Sequence, residues 1–476
     1  MISRMSFGAA DYLIIGGYFL AIMVAGLAWL RRGRNANDYF LAGRTLTLPA
    51  FVATLVATWY GGILGVGEFA HQNGLSAWLV FGVPYYIFAL IFALALAPKI
   101  RGAGLYTIPD KISEAYGKTA GLIAAVFVYC LTTPAPYVLM LGTLLQLIFG
   151  WPLLPALLIG VGLSTIYVYV GGFQSDVRVN IVQFVLMFIG FAVILPYCYH
   201  SLGGLSFLRA HVPATHLTWH GGNSTQYIIA WFFIALWTLV DPGFHQRCYA
   251  AKDPKTAQRG VLVSILFWIV FDFMTTTAGL YARAALPDIE PVMAYPLLAE
   301  KLLPEGIKGL FYVAMLATVM STLVSYLFLC GVTFTRDFVW RIEGGDPNAR
   351  LNVRTALGLG LTTVIALLLA LWVPSVVKLW YSVGTTFIPG LLLPLLSAYW
   401  PRLQVRKRAA GALMLAASLT SLAWLIWGQM HLVEGWPKYP LALEPMYPGL
   451  LVSAVGFVAA KRKRKIEGTL SQAANL

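Results

Sequence analysis

Charged side chains are scarce in this sequence of 476 residues, of which 11% are charged and 59% are hydrophobic. Soluble domains are roughly 25% charged, so the composition excludes an ordinary soluble protein and predicts an all-α integral membrane protein. Cysteine is scarce too. The four cysteines lie in or beside apolar runs without the spacing of a zinc site, so we expect reduced, buried thiols.

Several catalytic and energy-coupling signatures are also missing. The chain has no Walker A glycine loop, which leaves ATP-driven transport without support. It has neither a metal-binding His-Glu helix nor a Gly-x-Ser-x-Gly nucleophile pattern, so we do not expect an enzyme. No kinase or nucleic-acid-binding domain is recognisable, and the net charge of +14 therefore needs an explanation other than nucleic acid.

Hydrophobic runs of membrane-spanning length fill most of the chain, since a bilayer core needs roughly 20 apolar residues. The first run, 12–30, lacks a small-residue cleavage site, so it is interpreted as a span rather than a signal peptide. About thirteen spans are predicted, at 10–30, 48–70, 75–97, 119–149, 153–171, 179–200, 226–246, 260–282, 308–333, 355–373, 378–400, 409–429 and 446–460.

Lysine and arginine are distributed unevenly between alternate loops. With the N-terminus outside, 26 of the 33 lysines and arginines, Arg247 among them, fall in inner loops or the inner tail. Because positive residues accumulate on the cytoplasmic side, this bias predicts an N-out, C-in topology with an odd number of spans. The same bias explains the net positive charge.

The apolar run 51–68 is interrupted by glycine. Glycines at 61, 62, 65 and 67 follow Trp59 and Tyr60, and Glu68 ends the run. Glycine weakens a helix by roughly 1 kcal/mol relative to alanine, and irregular backbone at membrane depth is tolerated where it packs in protein or lines a cavity. The run therefore indicates either close helix packing or the binding site of a transporter.

Ionisable residues inside predicted spans are functional candidates, because a charge in lipid is costly. Asp241 precedes Pro242 and Gly243, which break a second helix, so a substrate or ion role is favoured for Asp241. Asp272, in the next span, is interpreted as structural and paired with a neighbouring helix. His245 is interpreted as packing.

Three hydroxyl side chains cluster in another apolar run. Ser321 and Ser325 share one helix face, and Thr322 lies beside them. Such hydroxyls commonly bond their own backbone or a neighbouring helix. Sodium, however, is a hard cation that binds oxygen, and hydroxyls with carbonyls freed at a helix break can form its site. Both interpretations stay open at this point.

Five segments occur in the order typical of the sodium:solute symporter family. They are Asp38-Tyr-Phe-Leu-Ala-Gly-Arg44, Tyr106-Thr-Ile-Pro-Asp110, Gly171-Gly-Phe-Gln-Ser-Asp-Val-Arg-Val-Asn-Ile-Val-Gln183, Gln246-Arg247 with Ala250-Ala-Lys252, and Met320-Ser-Thr322 followed by Arg336-Asp337. Through them the chain resembles this family from the first span to the last. The resemblance implies the inverted-repeat fold typified by the bacterial leucine transporter, LeuT, and solute entry driven by sodium.

The resemblance also implies how the chain is divided. One N-terminal helix would precede two inverted repeats of five core helices each, and two C-terminal helices would follow. The implied segments are 1–47 (N-terminal helix and cytoplasmic linker), 48–200 (first repeat), 201–225 (extracytoplasmic loop), 226–400 (second repeat), 401–465 (two C-terminal helices) and 466–476 (cytoplasmic tail).

Site residues are implied position by position. The implied sodium ligands are the carbonyls near Ala57 and Tyr60, the backbone of Thr318, and the hydroxyls of Ser321 and Thr322. The implied solute site comprises Trp59, Tyr60, Gly61, Trp237, Asp241 and Tyr381. A second ion or a coupling role would involve Asp176, Asn180, Ser325, Asp272 and Glu68. Asn180 stands where many members carry an acid, so the resemblance does not carry over a second sodium.

We therefore expect a sodium-coupled importer of a small polar solute in a prokaryotic cytoplasmic (inner) membrane, functional as a monomer and without a cofactor other than sodium. Ionised Asp241 among Trp59, Tyr60 and Trp237 would suit an amine or a quaternary ammonium group. The same carboxylate accepting hydrogen bonds from hydroxyls would suit a sugar or polyol, which is the preferred version. A solute-sensing transceptor and a proton-coupled transporter are the alternatives.

Overall fold

The structure, a computed structural model, describes residues 5–28, 35–344, 346, 348–373, 375–433 and 436–461. Nearly all of this part is helical, as the composition predicts. Ten of its helices are long and apolar enough to cross a membrane, or eleven if one bent pair counts as a span. The predicted tail 466–476 and the basic positions 31, 32, 34 and 462–465 lie outside the described residues.

The described part of the first 202 residues contains eleven α-helices, and a π-helical turn, Phe92–Leu96, joins the sixth to the seventh. They are α1 (Ala9–Leu27), α2 (Ala36–Leu41), α3 (Leu48–Trp59), α4 (Ile63–Asn73), α5 (Ser76–Phe81), α6 (Val83–Ile91), α7 (Ala97–Gly102), α8 (Ile108–Tyr116), α9 (Lys118–Leu131), α10 (Ala135–Phe149) and α11 (Leu153–Leu202).

The described part of the remaining chain adds twelve helices and one small antiparallel pair of strands, β1 (Leu432–Val433) and β2 (Trp436–Pro437). The helices are α12 (Leu205–His211), α13 (Thr225–Ile234), α14 (Trp237–Val240), α15 (Pro242–Ala250), α16 (Pro254–Ala285), α17 (Ala294–Leu302), α18 (Ile307–Val332, continued by the π-helical Thr333–Trp340), α19 (Arg341–Glu343), α20 (Leu351–Trp372), α21 (Val376–Tyr399), α22 (Lys407–Met430) and α23 (Met446–Ala459).

Two of the predicted spans are joined in the structure. Spans 153–171 and 179–200 form one helix of 50 residues, α11, which changes direction at Gly172. The φ of Gly172 is +58°, and a Cβ there would lie 2.5 Å from the carbonyl oxygen of Tyr39, so only glycine fits this bend. The last span is α23, with 14 residues. The count of thirteen spans, the N-out orientation and the division into repeats stay predictions.

Helix α18 lies in the middle of the molecule. Its most apolar stretch is buried throughout, and it packs against α3, α11 and α20. Because the helix faces protein on all sides, it can carry the fully buried hydroxyls of Ser321, Thr322 and Ser325 where neighbouring helices supply partners.

Several family-like segments meet in one polar layer. Arg44 donates hydrogen bonds to the carbonyls of Gly104 and Leu105 at 2.9 and 3.1 Å. Asp110 accepts hydrogen bonds from Arg336 and Arg341 at 2.9 and 2.8 Å. This layer contains predicted inner loops, and it joins segments that are far apart in the sequence.

Candidate functional site

The glycine-rich break lies between α3 and α4, whose axes differ by 57°. A Cβ on Gly61 would lie 2.1 Å from the hydroxyl oxygen of Thr322, and a Cβ on Gly62 would lie 1.8 Å from the ring of Trp380. Real side chains cannot approach so closely, so both positions require glycine. The glycines therefore allow close packing, and the residue packed against Gly61 is Thr322, which is one of the predicted sodium ligands.

Oxygen atoms gather where α3 ends against α18. The Ser321 hydroxyl lies 2.8 Å from the Ala57 carbonyl and 2.9 Å from the Thr318 carbonyl. The Thr322 hydroxyl lies 2.6 Å from the carbonyl of Thr58. The structure thus brings together four of the five predicted sodium ligands, and it adds Thr58. Oxygen-only surroundings of this kind suit a hard cation such as sodium.

An aromatic cavity of about 100 Å³ adjoins this oxygen cluster. Nine of its thirteen lining residues are aromatic, and Asp272 is the only charged one. The lining consists of Trp59, Tyr60, Gly62, Val66, Phe81, Tyr85, Tyr137, Trp231, Ile234, Trp237, Asp272, Tyr326 and Trp380. The two regions are linked along α3, since Thr58 faces Thr322 while the next residues, Trp59 and the C-cap Tyr60, line the cavity. The cavity is lined by Gly62 of the first break and by Trp237 of α14, the helix that precedes the second break.

Asp272 reaches this cavity from α16. The hydroxyls of Tyr60 and Tyr86 donate hydrogen bonds to its two carboxylate oxygens. None of the ion pairs among the described residues involves Asp272. The bond to Tyr60 agrees with the predicted pairing to a neighbouring helix, but the carboxylate also faces the cavity, which the structural interpretation did not anticipate.

Asp241 is placed differently from its predicted role. Its carboxylate accepts the backbone N–H of Phe244 at 2.9 Å, so it caps its own helix, α15. Its other oxygen accepts the hydroxyl of Tyr326 at 2.9 Å. Tyr326 lines the cavity and Asp241 does not. The predicted contact between Asp241 and a solute would therefore need Tyr326 to move aside.

The other predicted solute residues divide into two groups. Trp59, Tyr60 and Trp237 line the cavity as expected. Gly61 and Tyr381 do not, and their neighbours Gly62 and Trp380 take those places. Consecutive residues of a helix point about 100° apart, so on α21 one step along the chain exchanges Tyr381 for Trp380. The Tyr381 hydroxyl instead bonds Glu444, in the segment before α23.

The candidates for a second ion also cluster in part. The Ser325 hydroxyl lies 2.9 and 2.8 Å from the two carboxylate oxygens of Asp176, and the Asn180 amide lies 3.3 Å from the same hydroxyl. Glu68 is half-buried on α4 and does not line the cavity.

One residue of this cluster was assigned to the wrong place. Arg247 was counted in an inner loop, but it is fully buried in α15, with its guanidinium beside Ser325 and Asp176. The assignment failed because the predicted span ended at 246, whereas the helix after the second break continues to Ala250. The neighbouring His245 is packed as predicted, with its Nε2 atom 3.2 Å from the carbonyl of Leu239.

Comparisons with known proteins agree with the family resemblance seen in the sequence. A model of the sodium:solute symporter family matches residues 39–416. Sodium/glucose cotransporter 2 of Rattus norvegicus is 25% identical over 77% of this chain, and the match spans 63% of the rat protein. The sodium/pantothenate symporter of Escherichia coli (strain K12) is 26% identical, over 95% of both chains.

A solved structure shows the same fold. It is a Na+-coupled sialic acid symporter in a substrate-bound, outward-open state, and it superposes with a TM-score of 0.79 at 17% identity. The superposition covers 96% of this chain and 97% of the other.

Proposed function

Because the chain belongs to the sodium:solute symporter family, we propose that it imports a small organic solute together with sodium by alternating access. One observation carries this proposal: the carbonyls of Ala57 and Thr58 belong to the oxygen cluster, and the next two residues, Trp59 and Tyr60, line the aromatic cavity. An ion bound at the cluster would hold the end of α3, and with it Trp59 and Tyr60 in the cavity wall. Solute and sodium would then stabilise the same arrangement.

The proposed sodium ligands are the carbonyls of Ala57, Tyr60 and Thr318 with the hydroxyls of Ser321 and Thr322. A hydroxyl can donate or accept. Each of the two hydroxyls now donates to a carbonyl. With sodium present, the hydroxyls would rotate to present their lone pairs, and the same carbonyls would face the ion. Little movement is needed, because the Ser321 oxygen already lies 2.8 Å from the carbonyl of Ala57.

For the solute, we propose an amine or a quaternary ammonium group, which reverses the preference for a sugar or polyol. Asp272 lacks a basic partner among the described residues, and nine of the other twelve residues that line its cavity are aromatic. A buried carboxylate of this kind is stabilised by a cation, and aromatic rings add attraction of roughly 0.5–2 kcal/mol per contact. The tyrosine hydroxyls that a polyol would have to replace already occupy the carboxylate oxygens.

Proton coupling is a second candidate, supported by the same carboxylate. A proton on Asp272 would neutralise it in place of a cationic solute. The two candidates differ in driving force, since proton coupling requires uptake to respond to a pH gradient without sodium. We further propose that the protein lies in a prokaryotic cytoplasmic membrane as a monomer. The lysine and arginine bias supports an orientation with the N-terminus outside.

The test is a thermal-shift screen of the purified protein against amines, quaternary ammonium ions, sugars and polyols, in sodium and in potassium. A ligand that binds the folded state raises the unfolding temperature. We expect ammonium compounds to stabilise the protein in sodium and much less in potassium. Stabilisation by sugars alone would contradict the solute class, and equal stabilisation in both salts would contradict sodium coupling.

A further inference from the structure

The aromatic cavity is lined by a single charged residue, and its charge is negative. That residue is Asp272, and none of the other described residues that line the cavity is a lysine, an arginine or a histidine. The hydroxyls of Tyr60 and Tyr86 donate hydrogen bonds to the Asp272 carboxylate, which stabilises its ionised form. The cavity therefore supplies a charged partner for a cation but none for an anion.

A helix N-terminus can take the place of a basic side chain, because its first N–H groups carry a partial positive charge. In transporters with broken helices, such an N-terminus can point at an anionic part of the solute. Two helices of this chain begin at the breaks, α4 after Gly62 and α15 after Asp241. The surroundings of these two N-termini therefore decide whether a solute with a carboxylate fits.

The N-terminus of α4 is covered by the indole ring of Trp380. No side chain caps this helix. A Cβ on Gly62 would lie 1.8 Å from the Trp380 ring, and a Cβ on Gly65 would lie 3.3 Å from the same ring. Because the side chains of a helix lean toward its N-terminus, a ring at both Cβ positions lies over the first turn. An apolar ring thus occupies the place from which a carboxylate would approach the N–H groups.

The N-terminus of α15 is closed by a carboxylate of the chain itself. Asp241 accepts the N–H of Phe244 at 2.9 Å, and Pro242 has no N–H to donate. The other carboxylate oxygen of Asp241 accepts the hydroxyl of Tyr326. A solute carboxylate at this break would meet a like charge, which repels it. Neither N-terminus at the breaks is therefore available to an anion.

A neutral acceptor on the solute is a different case. The indole N–H of Trp237, a residue of the lining, is buried and has no hydrogen-bond partner among the described residues. A hydroxyl or an amide oxygen can accept from such a neutral donor. A carboxylate would need its charge balanced as well, and a carboxylate that is buried without a charged partner costs several kcal/mol.

We propose that the cavity selects ammonium solutes that carry no carboxylate, and that Trp380 enforces this selection by covering the N-terminus of α4. This inference rests on the proposed function, which supplies the ammonium group as the partner of Asp272. It adds the nature of the rest of the solute, which is neutral. Small amino alcohols and amides of amino acids have this chemistry, whereas betaines and amino acids do not. Trp380 is thus a specificity-determining residue.

The test compares three probes that share a trimethylammonium group: choline, glycine betaine and the amide of glycine betaine. Calorimetry measures their affinities for the purified full-length protein in sodium. Choline ends in a hydroxyl and the amide in a neutral carbonyl group, so we expect both to bind. Glycine betaine differs from its amide by one negative charge at nearly the same size, and we expect it to bind about 100-fold more weakly.

Trp380→Ala should reduce this discrimination, because it uncovers the first turn of α4. We expect the affinity for glycine betaine, relative to that for its amide, to rise about tenfold. Trp237→Ala is the matched control. It removes another indole of the lining, and the N–H that is lost serves an amide and a carboxylate alike. The relative affinity should therefore stay as in the unmodified protein.

Two results would overturn the inference while the ammonium class stands. One is binding of glycine betaine by the unmodified protein as tightly as its amide. The other is a relative affinity that does not change in Trp380→Ala, or that rises as much in Trp237→Ala. If Trp380→Ala does not yield folded protein, Trp380→Leu, which also lacks the indole ring, is measured in its place. Failure of all three probes to bind would instead contradict the ammonium class of the proposed function, and with it this inference.

Discussion

The two broken helices of this protein are interrupted in chemically different ways. Between α3 and α4 the break is made of glycine, and the backbone oxygens before it face the hydroxyls of α18. Between α14 and α15 it is made of Asp241 and Pro242, and Asp241 bonds the N–H of Phe244 in the following turn. At the first break the backbone carbonyls accept hydrogen bonds from another helix, whereas at the second break Asp241 caps the helix that directly follows it.

This difference separates the tasks of the two breaks. A break whose carbonyls accept from hydroxyl side chains of another helix can exchange a hydroxyl partner for an ion, and glycine allows the close approach that this needs. A break that caps the following helix fixes where that helix begins, and Arg247 lies in it. We therefore propose that the first break binds ligands and that the second break positions the buried guanidinium of Arg247. The predictions below start from the largest expected effect.

Adding a methyl group at the first break should disable it. In Gly61→Ala the new Cβ would overlap the side chain of Thr322, and overpacking of this kind costs roughly 1–3 kcal/mol. We expect sodium-stimulated uptake at limiting sodium to fall about 100-fold, which corresponds to about 2.7 kcal/mol. The control is Gly17→Ala on α1, where a Cβ meets nothing within 4 Å. Equal uptake by both variants would refute the close packing at Gly61.

Neutralising Asp272 should weaken solute binding much more than neutralising Asp241, because only Asp272 lines the cavity. Asp272→Asn removes the negative charge from the cavity, so we expect a cationic solute to bind about 30-fold more weakly, or about 2 kcal/mol. Asp241→Asn keeps an acceptor for the Phe244 N–H, and we expect less than about a threefold change. Titration of solute binding by fluorescence or calorimetry measures both. The reverse order would restore Asp241 as the solute ligand.

Removing one tyrosine hydroxyl should lower the solute affinity less than removing the charge of Asp272. Tyr86→Phe deletes one donor to Asp272 and leaves the other, from Tyr60. A hydrogen bond to a charged group is worth about 1.5 kcal/mol, so we expect about a tenfold loss of solute affinity. Tyr85→Phe is the matched control, because no hydrogen bond joins that ring to Asp272 in the described structure. A larger effect at Tyr85 would count against the placement of Asp272.

The smallest expected effect concerns the stability of the second break. Asp241→Ala removes the N-cap of α15 and should lower the free energy of unfolding by about 1 kcal/mol, whereas Asp241→Asn retains the cap. Thermal unfolding of the two purified variants in the same detergent measures the difference. Identical unfolding temperatures would show that the cap contributes nothing to this helix.

The sequence predicted most of the helices, the two breaks and most of the residues that form the oxygen cluster, because each leaves a local signal. Glycine pairs, the Asp-Pro pair and hydroxyls at helical spacing can be recognised in the amino-acid sequence without knowledge of the fold. It did not predict that Asp272 faces the cavity or that Trp380 replaces Tyr381. Helices that are apolar on all sides have no polar face from which orientation can be inferred, so the direction of a single side chain depends on tertiary packing.

The burial of Arg247 also could not be predicted from the sequence. A basic residue near the end of an apolar run is typical of a cytoplasmic loop, and that interpretation placed it on the wrong side of a helix end. What keeps it inside is the set of partners on three other helices, at Thr54, Asp176 and Ser325. None of these partners is near Arg247 in sequence, so only the folded structure reveals them.

The most direct test of the account is sodium binding to the Ser321→Ala, Thr322→Ala double variant, measured by dialysis against radioactive sodium beside the unmodified protein. Both hydroxyls are buried and face carbonyls at the end of α3, so their removal should abolish sodium binding and sodium-stimulated uptake while the protein stays folded. Undiminished sodium binding and uptake in the double variant would contradict the assignment of the first break as the sodium site.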